Sequence, residues 1–389
     1  MTLKNNFLMK FIGPMLIGVL IAQFNMFLVD KGTMGDIVFI RILYTFAENY
    51  MAFIKWFAPI MSFVFIASGI RNLRGNVVSF VTRFFSILVI TLSILALFTL
   101  AVAYTIVPLF ISTGDFISGP WPEAYFILWI FKPLNIFYCI VAGFIFGLFA
   151  SKGSKVEKII DYTEKYVVLV INYFIIPFSP FWIMGSFAAS TFSDKGLGII
   201  WIDLWLSFVI LCIHFIWLFV MYLITSKYAK VALNLIIKAA FRMYIVVVSM
   251  AGNSNGVIVP LIIDEQEKLG FNKNKAKFVS VSSFNMPGSL ISNIIFAYGV
   301  SYMFDINITP IVGIKYAIIL IFLLIVAPAI NGGVWTLTSG ILSPVLGFKT
   351  DMINIMGSMY FKQGTSNSAV NNCADFYVTG LCEKKEKNE

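Results

Sequence analysis

The stretch from Arg242 to Lys268, RMYIVVVSMAGNSNGVIVPLIIDEQEK, decides the fold. It has basic residues at both ends and a single apolar run between them. Basic residues that flank membrane spans collect on the cytoplasmic side, so one crossing here would strand one of the two clusters outside. The segment has to turn back. Its middle, Gly252-Asn253-Ser254-Asn255-Gly256, is a run of turn formers that stops a helix partway across a bilayer. The element this predicts is a re-entrant hairpin that enters and leaves by the cytoplasmic face.

The rest of the chain supplies the membrane that this reading needs. Of 389 residues, 59% are hydrophobic and 12% charged, too apolar a balance for a soluble globular protein. The net charge of +9 is spread through short gaps between apolar runs, which speaks against a nucleic-acid-binding patch. Crossing the hydrocarbon takes about 20 uncharged residues. Such stretches run Phe11 to Val29, Phe84 to Gly114, Pro133 to Ser151, Tyr166 to Ser193, Leu204 to Ser226 and Phe278 to Phe304. The first has no small-residue cleavage site after it and reads as a span, not a signal peptide. A further span, Trp56 to Ile70 with the turns before it, has Lys55 near its end and Glu48 before it, both expected to snorkel to the interface or to lie on an interfacial helix.

Basic residues recur in six clusters: Lys4 and Lys10; Arg71 to Arg83; Lys152 to Lys165; Lys227 to Arg242; Lys268 to Lys277; Lys384 to Lys387. With all six placed in the cytoplasm, each of the first three intervals holds two spans. The opposite loops carry Asp30, Asp36, Asp115, Glu123 and Asp194. Between Lys277 and Lys384 there are three apolar stretches, although an even number of crossings is required. One of them must therefore be re-entrant. Tyr316 to Phe348 is broken by Ala327-Pro328-Ala329-Ile330-Asn331-Gly332-Gly333 and is expected to form a second hairpin, entering from outside. The fold class is thus an all-α polytopic membrane protein with eight transmembrane helices and two re-entrant hairpins. Both termini are cytoplasmic, in a cell (inner or plasma) membrane.

Irregular backbone at membrane depth is tolerated only beside protein or a water-filled cavity, so two hairpin tips imply a polar cavity near the midplane. The last span fits such a cavity, reading Gln363-Gly364-Thr365-Ser366-Asn367-Ser368-Ala369-Val370-Asn371-Asn372-Cys373-Ala374-Asp375. Asn367, Asn371 and Asp375 recur at helical spacing and present two amides and a carboxylate on one stripe. A carboxylate at this depth needs a cation, and hard monovalent cations take carboxylate and carbonyl oxygens. Span seven offers carbonyls where Ser283-Phe284-Asn285-Met286-Pro287-Gly288-Ser289 interrupts its helix. The four cysteines are scattered without metal or disulfide spacing, and the single histidine, His214, is expected to pack without a ligand role.

These residues resemble the dicarboxylate/amino acid:cation symporter family, the glutamate transporter homologues, over nearly the whole chain from Phe57-Ala58-Pro59-Ile60-Met61 onward. Ser254-Asn255-Gly256 with Pro260 resembles the serine-rich tip of the family's first hairpin, and Asp264 to Phe271 the loop after it. Asn285-Met286-Pro287-Gly288 resembles the NMDG motif, Ile330-Asn331-Gly332-Gly333 takes the place of the second hairpin's tip, and Asn371 with Asp375 falls on the NxxxD pair. The resemblance implies a homotrimer coupled to sodium or protons, with no other cofactor. It implies a scaffold of spans one and two (1–70) and four and five (116–193). The transport domain would be span three (71–115) with span six, both hairpins and spans seven and eight (194–383), before a basic tail (384–389). It implies cation binding at Asn285, Met286, Asn371 and Asp375, with sodium at Asn371 and Asp375. Substrate contacts would be Ser254, Asn255, Ser289, Asn331, Gly332, Gly364, Asn367, Ser368 and Asn371.

Three departures bear on function. Pro287 stands where the motif has its acid, Gly364 where an acid would hold a substrate ammonium, and Asn367 where an arginine would pair an acidic substrate. A buried carboxylate or ammonium without its partner does not recover its desolvation, so the expected solute is small, polar, and uncharged or singly charged. The function expected is cation-coupled symport by alternating access. A passive channel with the same polar cavity is the alternative, whereas a membrane enzyme would need a nucleophile and base that no motif here supplies.

Overall fold

A computed structural model describes residues 7–30, 37–72, 78–111, 122–128, 134–150, 154–194, 198–249, 255–282, 286–327 and 333–383. The architecture is helical, with no strand among the described residues. In chain order the helices are α1 (Phe7–Asp30), α2 (Val38–Asn72), α3 (Val78–Thr105), α4 (Ile136–Phe149), α5 (Lys155–Val170), α6 (Ile176–Asp194) and α7 (Gly198–Ala229). There follow α8 (Leu233–Ser249), α9 (Asn255–Lys268), α10 (Lys273–Ser282), α11 (Pro287–Met303), α12 (Pro310–Val326), α13 (Gly333–Leu346) and α14 (Thr350–Cys382).

Three helical stretches, Val38–Ser68, Thr82–Leu109 and Gly198–Ala229, are long and apolar enough by length and composition to cross a membrane. A fourth candidate is the pair Lys155–Ile175 and Pro177–Phe192, bent by 50° at a π-helical turn. The helix that carries the expected fifth span thus begins before Tyr166, on the amphipathic α5. α14 has the length of a span but not the hydropathy, because its middle is a run of amides and hydroxyls.

The helices stop where the sequence supplies breakers. α8 ends at Ser249 and α9 begins at Asn255; α12 ends at Val326 and α13 begins at Gly333; α10 ends at Ser282 and α11 begins at Pro287. Of the expected hairpin tips, 252–254 and 328–332 lie outside the described residues, as do 283–285 and the tail 384–389. Pro287 opens α11 at the position where a missing N–H costs nothing, behind Met286 at φ −96° and ψ −87°. At the far end of α13, Gly347 adopts φ +74°. Its N–H donates to the Ser343 carbonyl at 3.0 Å and that of Phe348 to Leu342 at 3.4 Å. This left-handed cap, open to glycine without strain, turns the chain directly into α14.

Helices α1, α2, α4, α5 and α6 pack chiefly on one another, α2 against α4 and α6 and α1 against α6. Helices α3 and α7 to α14 form a second packed group around α14, and the two groups meet where α2 and α6 lie against α13 and α14. At that contact one expectation fails: Glu48 and Lys55 do not snorkel. Glu48 is buried and its Oε1 accepts from Asn354 Nδ2 at 3.2 Å, while Lys55 Nζ donates to Thr350 Oγ1 at 2.7 Å. α14 lies against this face of α2, so their polar ends find protein before they reach the interface.

Candidate functional site

The site is built where the first turns of α11 face the middle of α14. The opening amides of a helix have no partner within it. Gly288 uses one of them, its N–H donating to Asn371 Oδ1 at 2.8 Å. Asn371 Nδ2 in turn donates to Ser289 Oγ at 3.3 Å, and Ser292 Oγ donates to Asn367 Oδ1 at 2.6 Å. Asn293 Nδ2 donates to the Ser289 carbonyl at 2.8 Å. The approach is close enough that a Cβ on Gly288 would stand 2.6 Å from the Asn367 carbonyl oxygen, which any side chain there would displace. The stripe read from the sequence is therefore real as packing. Asn367, Asn371 and Asp375 are all buried on one continuous helix.

Asp375 borders a cavity of about 10 Å³ between α3, α7, α11 and α14, lined also by Thr91, Met221, Met286 and Pro287. A space of this size holds roughly one water or one small ion. Thr91 lines the same cavity, and its Oγ1 lies 3.0 Å from the Tyr377 hydroxyl. Pro287, where the motif would carry an acid, contributes no side-chain oxygen.

The family model described as the sodium:dicarboxylate symporter family matches residues 7–385. The chain belongs to the sodium:dicarboxylate symporter family. Among curated proteins there is no significant match. Membership makes the chain a multi-pass, cation-coupled transporter.

Against that family's pattern the surroundings of α14 gain meaning. Gly364 and Ser368 are half-buried, and the Ser368 carbonyl accepts from Asn372 Nδ2 at 2.7 Å. Met286 is buried at the head of α11. The remaining expected site residues, Ser254, Asn285, Asn331 and Gly332, lie outside the described residues, and Asn255 is described only as the backbone that opens α9. His214 is fully buried, its Nε2 3.4 Å from the Gly288 carbonyl and its Nδ1 3.3 Å from Ser366 Oγ. Tyr244 of α8 reaches the same Ser366 hydroxyl at 3.4 Å. In this symporter His214 packs against the backbone turn that carries Gly288.

Sequence reasoning missed four residues of this region. Asp203, at the edge of span six, ion-pairs with Lys362, the two side chains 0% and 11% exposed. That pairing turns the nearest cation on α14 toward α7 and away from the Asn367 stripe. Thr91 sits in a long apolar helix, where its hydroxyl was the only signal. Tyr360 and Asn293 face the site because the hydroxyl of Tyr360 interacts with Ser289, Asn367 and Asn293. The helical spacing of Tyr360 to Asn367, two turns, was a legible cue for the first; nothing marked the second.

Proposed function

We propose that this symporter moves a small polar organic solute, of the amino acid or carboxylate class but uncharged or singly charged, together with sodium or protons by alternating access. The observation that carries the reading is the buried Asp375 carboxylate bordering a small cavity, next to a stripe of neutral amides on the same helix. An ionised carboxylate at this depth is tolerable when a cation neutralises it, and the family couples to sodium. The cation would sit at Asp375 with Asn371, Met286 and Asn285 near it. The solute would lie against Ser289, Gly364, Asn367, Ser368 and Asn371, closed in by hairpin tips that bring Ser254, Asn255, Asn331 and Gly332.

The same proposal assigns spans one, two, four and five to a trimeric scaffold and the remaining helices to a domain that moves across the bilayer. The packing of α2 with α4 and α6, and of α14 with α7, α8 and α11, is consistent with such a division. Aspartate and glutamate are expected to be poor solutes, because Gly364 and Asn367 supply neither acid nor arginine and Lys362 is engaged by Asp203.

A ligand that binds the folded state raises its unfolding temperature, so thermal-shift screening of a solute library with and without sodium tests the reading. The expected result is a set of neutral polar solutes whose stabilisation requires sodium. Shifts independent of both sodium and pH throughout would contradict the coupled mechanism.

A further inference from the structure

Resting on the transport reading above, we infer that Asn293, Gln363 and Asn367, gathered around Tyr360, recognise a carboxamide group on the solute. The argument begins with hydrogen bonds that these side chains do not make. Asn367 spends its Oδ1 on Ser292, and Asn293 spends its Nδ2 on the Ser289 carbonyl. The opposite ends, Asn367 Nδ2 and Asn293 Oδ1, and likewise Gln363 Nε2, make no hydrogen bond of good geometry, the Tyr360 hydroxyl being the polar group beside the two asparagines. All three residues are at least 95% buried. Buried polar groups in native proteins are almost always paired, so leftover valences gathered in one place point to a ligand.

Their positions converge. Tyr360, Gln363 and Asn367 fall three and four residues apart on α14 and so share a face, and the Tyr360 hydroxyl interacts with both Asn293 and Asn367. The Tyr360 ring is held in place by stacking on Trp335 of α13, with centroids 5.6 Å apart. The second hairpin therefore orients the phenol that the two amides surround.

The unmade bonds define a chemical complement. Two N–H donors, from Gln363 and Asn367, call for an acceptor on the ligand, and one carbonyl acceptor, from Asn293, calls for a donor beside it. A carboxamide presents a C=O and an N–H₂ from one planar group and meets both demands. A carboxylate would satisfy the donors but turn an oxygen toward Asn293 Oδ1, and among the described residues of α14 the one cation, Lys362, is paired with Asp203. An ammonium would face two N–H donors. Sites that hydrogen-bond a neutral polar group reject analogues lacking the matching donor or acceptor strongly, because their own buried groups are then left unpaired.

The test is isothermal titration calorimetry on the purified full-length protein in sodium, with two matched pairs of probes that carry no ammonium: propionamide against propionate, and succinamate against succinate. The inference expects one amide to bind at least about tenfold more tightly than its acid partner, a difference well within what such sites achieve. Tyr360→Phe keeps the ring on Trp335, and Asn293→Leu keeps the side-chain size; each should collapse the amide-to-acid ratio toward one. An acid that binds as well as its amide, a failure of all four probes to bind, or a ratio unchanged in both variants would overturn the inference, the last marking the cluster as packing or hydrated glue. Repeating the titration with choline in place of sodium separates the two claims. Amide preference that persists without sodium leaves this assignment standing and counts against cation coupling.

Discussion

Asp375 carries the greatest electrostatic cost of any residue on the α14 stripe. At 1% exposure its charge is costly to hold in this setting, by several kcal/mol as a rough figure where nothing offsets it, and a bound cation or a proton would offset it. Asp375→Asn removes the charge while keeping the shape, so the variant should fold and lose sodium stimulation of uptake. Uptake assays across a sodium series check this, and a variant that keeps the wild-type sodium response would move the cation site elsewhere. Asp375 and Asn371 were legible in the sequence because helix periodicity alone puts them on one face, whatever the rest of the fold does. Thr91, Asn293 and Asp203 were not. Their roles come from partners roughly 70 to 290 positions away in the chain, as in Asn293 with Tyr360, Asp203 with Lys362 and Thr91 with Tyr377, and no local pattern encodes those meetings. Glu48 and Lys55 misled for the same reason, since snorkelling is the local answer and Asn354 and Thr350 the tertiary one.

Among the elements, the helix ends at Ser249, Ser282 and Val326 could be read because turn formers and proline act locally, and the described helices stop within a few residues of those runs. The contact between α6 and α14 could not. There Trp182 is fully buried and its indole N–H donates to Asn354 Oδ1 at 2.8 Å, while Asn354 hands its amide to Glu48. Gly357 makes the fit possible, since a Cβ on it would stand 2.2 Å from the Trp182 ring and 2.5 Å from that of Trp335. Asn354→Leu would leave both the indole N–H and the Glu48 carboxylate short of a buried partner, at a cost of about 1–3 kcal/mol for each neutral group and more for a charged one. A clear fall in unfolding temperature of the purified protein is expected; an unchanged value would mean that water or Tyr44 replaces Asn354 without loss. In the transport proposal this contact joins the scaffold to the moving domain, and it must break and re-form in each cycle.

For the whole molecule, the charge clusters led to a topology, and family membership supports the multi-pass transporter within which that topology makes sense. The expected arrangement has the first hairpin open to the cytoplasm and the second to the outside. With the four native cysteines removed, a cysteine at Ser254 should react with an impermeant thiol reagent only from the cytoplasmic side, and one at Asn331 only from outside; the reverse pattern would refute the two-hairpin layout. Substrate identity was the least legible feature, because it depends on what Gly364, Asn367 and Tyr360 no longer or newly offer in three dimensions. The central claim, coupling of solute to cation, is tested most directly by reconstituting the purified protein in sealed proteoliposomes and following labelled neutral solute under an inward sodium gradient. The account predicts transient accumulation above the external concentration that vanishes when the sodium gradient is collapsed. Simple equilibration at the same rate with and without the gradient would contradict it and identify a passive pathway.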